Sequence, residues 1–295
     1  MRILVAGGSG AVGRPLVAQL LRAGHEVVAT SRSEQRLVEL RSIGAEAIHM
    51  NAVESASVMA AVEQAAPEVV IHQLTSLAEG ELAEHGRVRR EGTQHLVEAA
   101  KSAGVDRFVA QSLAWVYAAG NDPADEQVPL DDTTVEPRAS IVAGVRALED
   151  AVRQIEHHVL LRYGIFYGPG TWNAPGGPIE RQLRSGGLTG DRAEAVLGLV
   201  RADAAISSFV HVHDAASAAV EALSWPNGAV NIVDDEPAPA SDWLPALAEA
   251  LAVPPPPAVA GVDREGWQRG ASNALARSLG WSPKYSSWRT GFAHQ

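Results

Sequence analysis

Six short apolar runs between residues 3 and 162, each followed by a longer amphipathic stretch, constrain this chain more than any other feature. The runs cover 3–6, 26–30, 47–49, 69–74, 107–111 and 159–162, with helical periodicity around 11–23, 33–43, 54–65, 87–103 and 137–156 between them. Buried strands that alternate with amphipathic helices predict an α/β fold, a Rossmann-type doubly wound parallel sheet. Ligands of such sheets bind at the carboxyl ends of the strands.

Beyond Gly168 the pattern breaks into the turn-rich PGTWNAPGGP, and a strand-like and a helix-like run return only over 208–224. The expectation is therefore a dinucleotide-binding domain over 1–167, rejoined by 206–224. A smaller substrate-binding lobe built from 168–205 and 225–295 would close over the cleft.

Charge and composition exclude several partners. Lys plus Arg number 24 against 35 Asp plus Glu, a formal net charge of -11, so neither nucleic acid nor an anionic membrane surface is expected to bind. There is no cysteine, which removes disulfides, thiolate nucleophiles and thiolate metal ligands and suits a reducing cytoplasm. The apolar run after Met1 is too short for a signal-peptide core, and we expect the mature chain to start there. His211 and His213 share a strand face by two-residue periodicity, but no third ligand is placed beside them, so no metal is expected.

Gly8-Ser9-Gly10-Ala11-Val12-Gly13 matches G-x-G-x-x-G, with Gly7 just ahead of it. The stretch follows a buried-strand pattern and opens a helix whose apolar residues recur at Val12, Leu16 and Leu20. Glycines let the backbone approach a pyrophosphate, whose charge meets N–H groups at the helix start. The second strand ends in Ser31-Arg32 where a carboxylate would meet a free ribose 2′-OH. A guanidinium there, helped by the Ser31 hydroxyl, suits a 2′-phosphate, so the expected cofactor is NADP(H).

These stretches, with GTQHLVEAAKSAGVDRFV, LRYGIFYGPGT, SFVHVHDAASAAVEAL and the C-terminal ASNALARSLGWSPKYSSWRTGF, resemble the extended or atypical short-chain dehydrogenases/reductases of the NAD(P)-dependent epimerase/dehydratase type. The resemblance runs over nearly the whole chain. It implies further cofactor contacts at the strand ends: Asn51 and Ala52, Leu74 and Thr75, Gln111 and Ser112, then Tyr163, Gly164 and Ile165.

The family's catalytic positions are altered. Glu149 resembles the glutamate after the family's Y-x-x-x-K, so the lysine position is Val145 and the tyrosine position is Ile141. Tyr117 resembles the family's V-Y pair, which puts the usual serine or threonine on Leu113, next to Ser112. Arg89 stands where the helix usually carries Asn, and no Tyr or Lys occurs anywhere in 118–162. An enzyme that oxidises an unactivated alcohol needs that base. A ketone reductase needs only a hydride donor and relief for the developing alkoxide.

Losing a positioned acid forfeits about 10²–10⁴ in rate, or roughly 3–5 kcal/mol. Orientation alone can supply about 7–11 kcal/mol. The resemblance implies an NADPH-dependent ketoreductase acting on a polycyclic aromatic polyketide, angucyclinone-like, and the chain is expected as monomer or homodimer. A hydroxyl peri to the ketone would stabilise the alkoxide, and Leu113, Trp115, Ile141 and Trp172 would line the substrate site. Leu183, Leu188, Leu197, Leu199 and Val200 would add apolar surface to the lobe. Ser112, Tyr117 and Tyr167 are the candidates for a replacement catalytic group. A non-catalytic protein that senses NADP through the same fold is the alternative left open.

Overall fold

The structure, a computed structural model, describes residues 1–75, 86–185, 201–259 and 261–294. Leu188, Leu197, Leu199 and Val200 lie outside the described residues.

Strands β1 (Arg2–Ala6), β2 (Glu26–Ser31), β3 (Glu46–His49), β4 (Val69–His72), β5 (Arg107–Leu113) and β6 (His157–Tyr163) form where the apolar runs predict them. With β10 (Gly228–Ile232) they make one seven-stranded sheet in the order β10-β6-β5-β4-β1-β2-β3, every neighbouring pair parallel. The strand order reverses direction between β1 and β4, which opens a crevice there at the carboxyl ends.

Helices α1 (Gly13–Arg22), α2 (Glu34–Ser42) and α7 (Val212–Glu221) lie with one face of the sheet. Their core includes Leu16, Leu20, Leu37 and Ala219 against Val5 and Ile71. On the other face α3 (Ser55–Ala65), α4 (Thr93–Ser102) and α5 (Arg138–Val152) bury Val58, Leu96 and Leu148 against Leu4 and Val70. One wide π-type turn, Val88–Gly92, leads directly into α4. Such turns widen a helix locally and recur at functional sites.

The lobe holds a third core in which Tyr167, Phe209, Leu244, Trp288 and Phe292 pack together. It carries α6 (Pro178–Arg184), α8 (Ala240–Ala250), α9 (Ala274–Ser278) and α10 (Trp288–Gly291). It also carries two small sheets: β7 (Ile165–Tyr167) pairs with β9 (Phe209–His211), and β8 (Ile206–Ser207) with β11 (Ala238–Pro239).

The expected division of the chain needs two corrections. The segment after 225 supplies β10 to the main sheet, because Gly228–Ile232 finds the free edge of β6. In 206–224 α7, with Val210 of β9 and Ala222, rejoins the sheet's core, while the strands β8 and β9 pair within the small sheets and not in the main one. His211 closes β9 and His213 already lies in α7, so the two are not strand neighbours on one face, although their rings stack at 5.3 Å.

Candidate active site

A cleft of about 2360 Å³ runs over the carboxyl ends of the central strands and under the lobe. Single ligand pockets fall at about 300–1,000 Å³, so this one has room for a dinucleotide and a second molecule side by side.

Its first half is built on the glycine turn. Gly7 has φ +86, and a Cβ there would stand 2.6 Å from the Gln73 carbonyl oxygen. A Cβ on Gly13 would fall 2.3 Å from the Gly7 carbonyl oxygen. Both contacts are impossible for a side chain, so the turn passes close to β4 only as glycine. The Gly7 N–H donates to Thr30 Oγ1 at 3.2 Å, and Ser9 and Ser31 share a hydroxyl bond of 3.0 Å, which ties the turn to the end of β2. No side chain caps α1 and its first turn has no acidic residue, so its start is suited to an anion.

Gly7, Ser9, Gly10, Ala11, Val12 and Gly13 line this half, with Ser31, Arg32, Asn51 and Ala52 beyond them. Gly8 does not. Its Cβ position falls 2.7 Å from the Ala29 methyl, so this glycine serves the packing of turn on strand.

The second half lies over β4, β5 and β6, where Leu74, Thr75, Gln111, Gly164 and Ile165 line the cleft. Tyr163 lies behind it. It is fully buried, and its hydroxyl donates to the Ala215 carbonyl at 3.1 Å and accepts from Gln73 Nε2 at 3.3 Å. Leu113, Trp115, Ile141 and Trp172 line the same cleft, joined by Trp243, Trp267 and Arg138. Arg138 lies 4.0 Å from the centroid of the Trp267 ring, and it donates to Asp131 Oδ2 and to the Trp115 and Tyr117 carbonyls. These three residues were missed because α5, α8 and the 267 region meet only in the folded chain.

The candidate replacement acids are not in the cleft. Ser112 is 2% exposed, and its hydroxyl donates to Glu149 Oε1 at 2.7 Å. Glu149 also accepts two hydrogen bonds from Arg162, at 2.8 and 2.7 Å. Burial alone would raise the Glu149 carboxyl, but Arg162 and Ser112 hold it below its ordinary range.

Tyr117 belongs to the same buried network. It donates to Asn231 Oδ1 at 2.5 Å and accepts from Arg162 Nη1 at 3.0 Å, and burial pushes it up to about 12. Tyr167 is fully buried in the lobe core with no partner for its hydroxyl, and burial raises it too. Ser112, Tyr117 and Tyr167 are thus corrected from catalytic candidates to structural groups.

Among the described residues no tyrosine or lysine lines the cleft. The acidic groups Glu39 and Asp203 do line it but are engaged elsewhere, and one imidazole, that of His213, lines it as well. Glu39 pairs with Arg14 at 2.5 Å, and Asp203 accepts from the Ala205 N–H at 3.0 Å. His213 sits at the start of α7, and its carbonyl accepts from Gln19 of α1, beside the first half. No group of three or more His, Cys, Asp or Glu among the described residues could hold a metal ion. No described helix is long and apolar enough to cross a membrane.

Residues 3–233 match the model of the NAD dependent epimerase/dehydratase family. Over the full length of both chains, the sequence is 40% identical to a 3-diazoavenalumate denitrifying reductase from a Streptomyces species. It is 28% identical to a 2-alkyl-3-oxoalkanoate reductase from Stenotrophomonas maltophilia, across 86% of this chain and 77% of that one. Among solved structures, the UDP-glucose 4-epimerase of Thermus thermophilus in complex with NAD has a TM-score of 0.75 at 23% identity, covering 100% of this chain and 97% of the other. That last likeness concerns the fold alone.

Proposed function

The chain belongs to the NAD dependent epimerase/dehydratase family and is an NAD(P)-dependent reductase; from that premise we propose that it uses NADPH to reduce a flat aromatic ketone without a protein acid. The observation that carries this reading is Ile141, which lines the cleft at the position the family gives to its tyrosine. When bound, the nicotinamide supplies the hydride. The residues of this chain grip, orient and dehydrate. The glycine turn and the start of α1 suit the diphosphate, and Ser31 with Arg32 suits a 2′-phosphate. Trp115, Trp172, Trp243 and Trp267 offer stacking faces to a fused-ring guest.

With no tyrosine or lysine among the described residues of the cleft, the alkoxide is relieved by the substrate itself. A hydroxyl peri to the ketone forms a charge-assisted internal hydrogen bond worth about 1.5–3 kcal/mol. The isoleucine at the tyrosine site resembles that of the angucyclinone ketoreductase of simocyclinone biosynthesis, which supports an angucyclinone-like polyketide as the substrate class. The size of the cleft, beyond what a dinucleotide needs, favours catalysis over a purely NADP-sensing role.

A second reading is favoured by the full-length relative that acts on a diazo compound. Reduction of an aryl diazonium replaces the N₂ group by hydrogen and releases dinitrogen. It leaves no alkoxide, so it too asks no proton of the protein.

One experiment tests both readings: NADPH absorbance is followed against peri-hydroxylated aryl ketones and aryl diazonium compounds, with the products identified by mass. Ketone turnover that slows when the peri-hydroxyl is removed supports the first reading, and turnover with loss of N₂ supports the second. Silence on both panels despite tight NADPH binding would sink the catalytic proposal. Tyr117→Phe and Tyr167→Phe are expected to turn over within about tenfold of the wild type. A drop near 10³ in either would mean that a tyrosine delivers the proton after all.

A further inference from the structure

Three arginines are buried to within a tenth of full exposure: Arg89 at 8%, Arg138 at 9% and Arg162 at 4%. Two of them are saturated by the chain. Arg138 holds Asp131 and two carbonyls, while Arg162 holds Glu149 and the Tyr117 hydroxyl. Arg89 has no hydrogen-bond or ion-pair partner among the described residues. A guanidinium stays charged at neutral pH even though burial lowers this one to about 10. Burying a cation without an acceptor is strongly unfavourable, and none of the described residues supplies one. Arg89 lines the cofactor cleft, and that is the route by which an acceptor reaches it.

The fold says which part of a dinucleotide arrives there. The glycine turn sits at the switch between β1 and β4, and Ser31, Arg32, Asn51 and Ala52 occupy the β2–β3 side with the adenosine half. The other nucleoside must cross to β4 and β5, where Gln73, Leu74 and Thr75 line the cleft. Arg89 belongs to that side. Its π-type turn packs on α5, and its Cδ lies 3.9 Å from where a Cβ of Gly144 would stand. It therefore meets α5 at Gly144, within the stretch 141–145 that carries no cation of its own.

We propose that Arg89 binds the hydroxyls of the nicotinamide-side ribose, supplying from the neighbouring helix the cation that α5 lacks. This rests on the dinucleotide reading above. Arg89 is a positioning residue, since it fixes the ring that donates hydride and touches the substrate's reacting atoms nowhere.

The test is calorimetric titration of the full chain, Arg89→Met and Arg89→Lys, with NADP⁺ and NAD⁺ and with their adenosine halves alone, 2′,5′-ADP and ADP. Arg89→Met is expected to weaken the preferred dinucleotide by at least about tenfold while its adenosine half binds within about twofold. Arg89→Lys should recover most of that loss. The ligand-free melting temperature of Arg89→Met should equal or exceed that of the wild type, because the substitution removes an uncompensated buried charge. Unchanged dinucleotide affinity would overturn the proposal and assign Arg89 to an anionic group of the substrate. Parallel loss of the adenosine half, or a lowered melting temperature, would overturn it as a structural role. If the wild type binds neither dinucleotide, the cofactor reading itself falls and takes this inference with it.

Discussion

The two halves of the cleft have been treated differently by the sequence. On the β1–β3 side the glycine turn is held close by its own contacts and hydroxyl links, with no room for a Cβ at Gly7 or Gly13. On the β5–α5 side the hydroxyl-bearing candidates Ser112 and Tyr117 have turned away, while Gln111 and Arg138 remain in the lining. Leu113 and Ile141 face the cleft, while Ser112, Tyr117, Glu149 and Arg162 bond to one another beneath it. On the reading proposed above, binding a nicotinamide cofactor and delivering a proton are separable tasks in this fold.

The comparison breaks most visibly if the buried network is disturbed. Glu149→Ala strands Arg162 without its carboxylate and leaves the Ser112 hydroxyl unpaired, and a broken buried pair costs about 3–5 kcal/mol. Urea unfolding should record that loss while NADP⁺ affinity of the folded fraction stays within about twofold. If affinity falls together with stability, the two halves are not independent. Next in size is Gly13→Val, whose Cβ would stand 2.3 Å from the Gly7 carbonyl oxygen. Prising the turn open should weaken NADP⁺ by at least about 100-fold, the equivalent of roughly 2.8 kcal/mol, in a fluorescence titration. A smaller loss would mean that the turn is looser than its contacts imply.

How much of this was legible in the sequence depends on whether the chemistry is local. The glycine turn and the Ser31-Arg32 pair are runs of adjacent residues, so their spacing alone placed them. The inversion at β5 was also in the sequence, since period two puts Ser112 and Leu113 on opposite faces, but which face met the cleft depended on Glu149 and Arg162 pairing below Ser112. Arg89 was visible as a departure and its burial was not, because that depends on Gly144 of another helix. Trp267 reaches Arg138 across 129 residues of chain, and β10 joins β6 across 69, and nothing local announces either contact.

Within the cofactor half, Arg32→Ala sharpens the assignment of the 2′-phosphate. Losing a charge-assisted contact of about 1.5–3 kcal/mol should weaken NADP⁺ by roughly 10–100-fold and leave NAD⁺ within about threefold. Equal loss for both cofactors would show that Arg32 shapes the pocket without reading the phosphate.

The smallest effect sits on the boundary between the halves. His72 ends β4, fully buried, with Nδ1 accepting from the Leu74 N–H at 3.3 Å and Nε2 bonded to Thr93 Oγ1 at 2.9 Å. The ring must then be neutral, with its proton on Nε2. Burial lowers its pKa from 6.5 to about 4, and the nearby Arg89 charge pushes the same way. Because the folded value lies below the unfolded one, the unfolded chain takes up the proton first on acidification. Stability is complete above pH 6.5 and drains away as pH falls from there toward 4, by about 1–2 kcal/mol at pH 5. Melting curves at pH 7 and pH 5 should differ accordingly. His72→Asn, whose amide oxygen can accept from Leu74 as Nδ1 does, should flatten the difference. An equal slope in the variant would mean that His72 titrates normally, and that the backbone leading to Thr75 on the nicotinamide side is held by something other than a neutral imidazole.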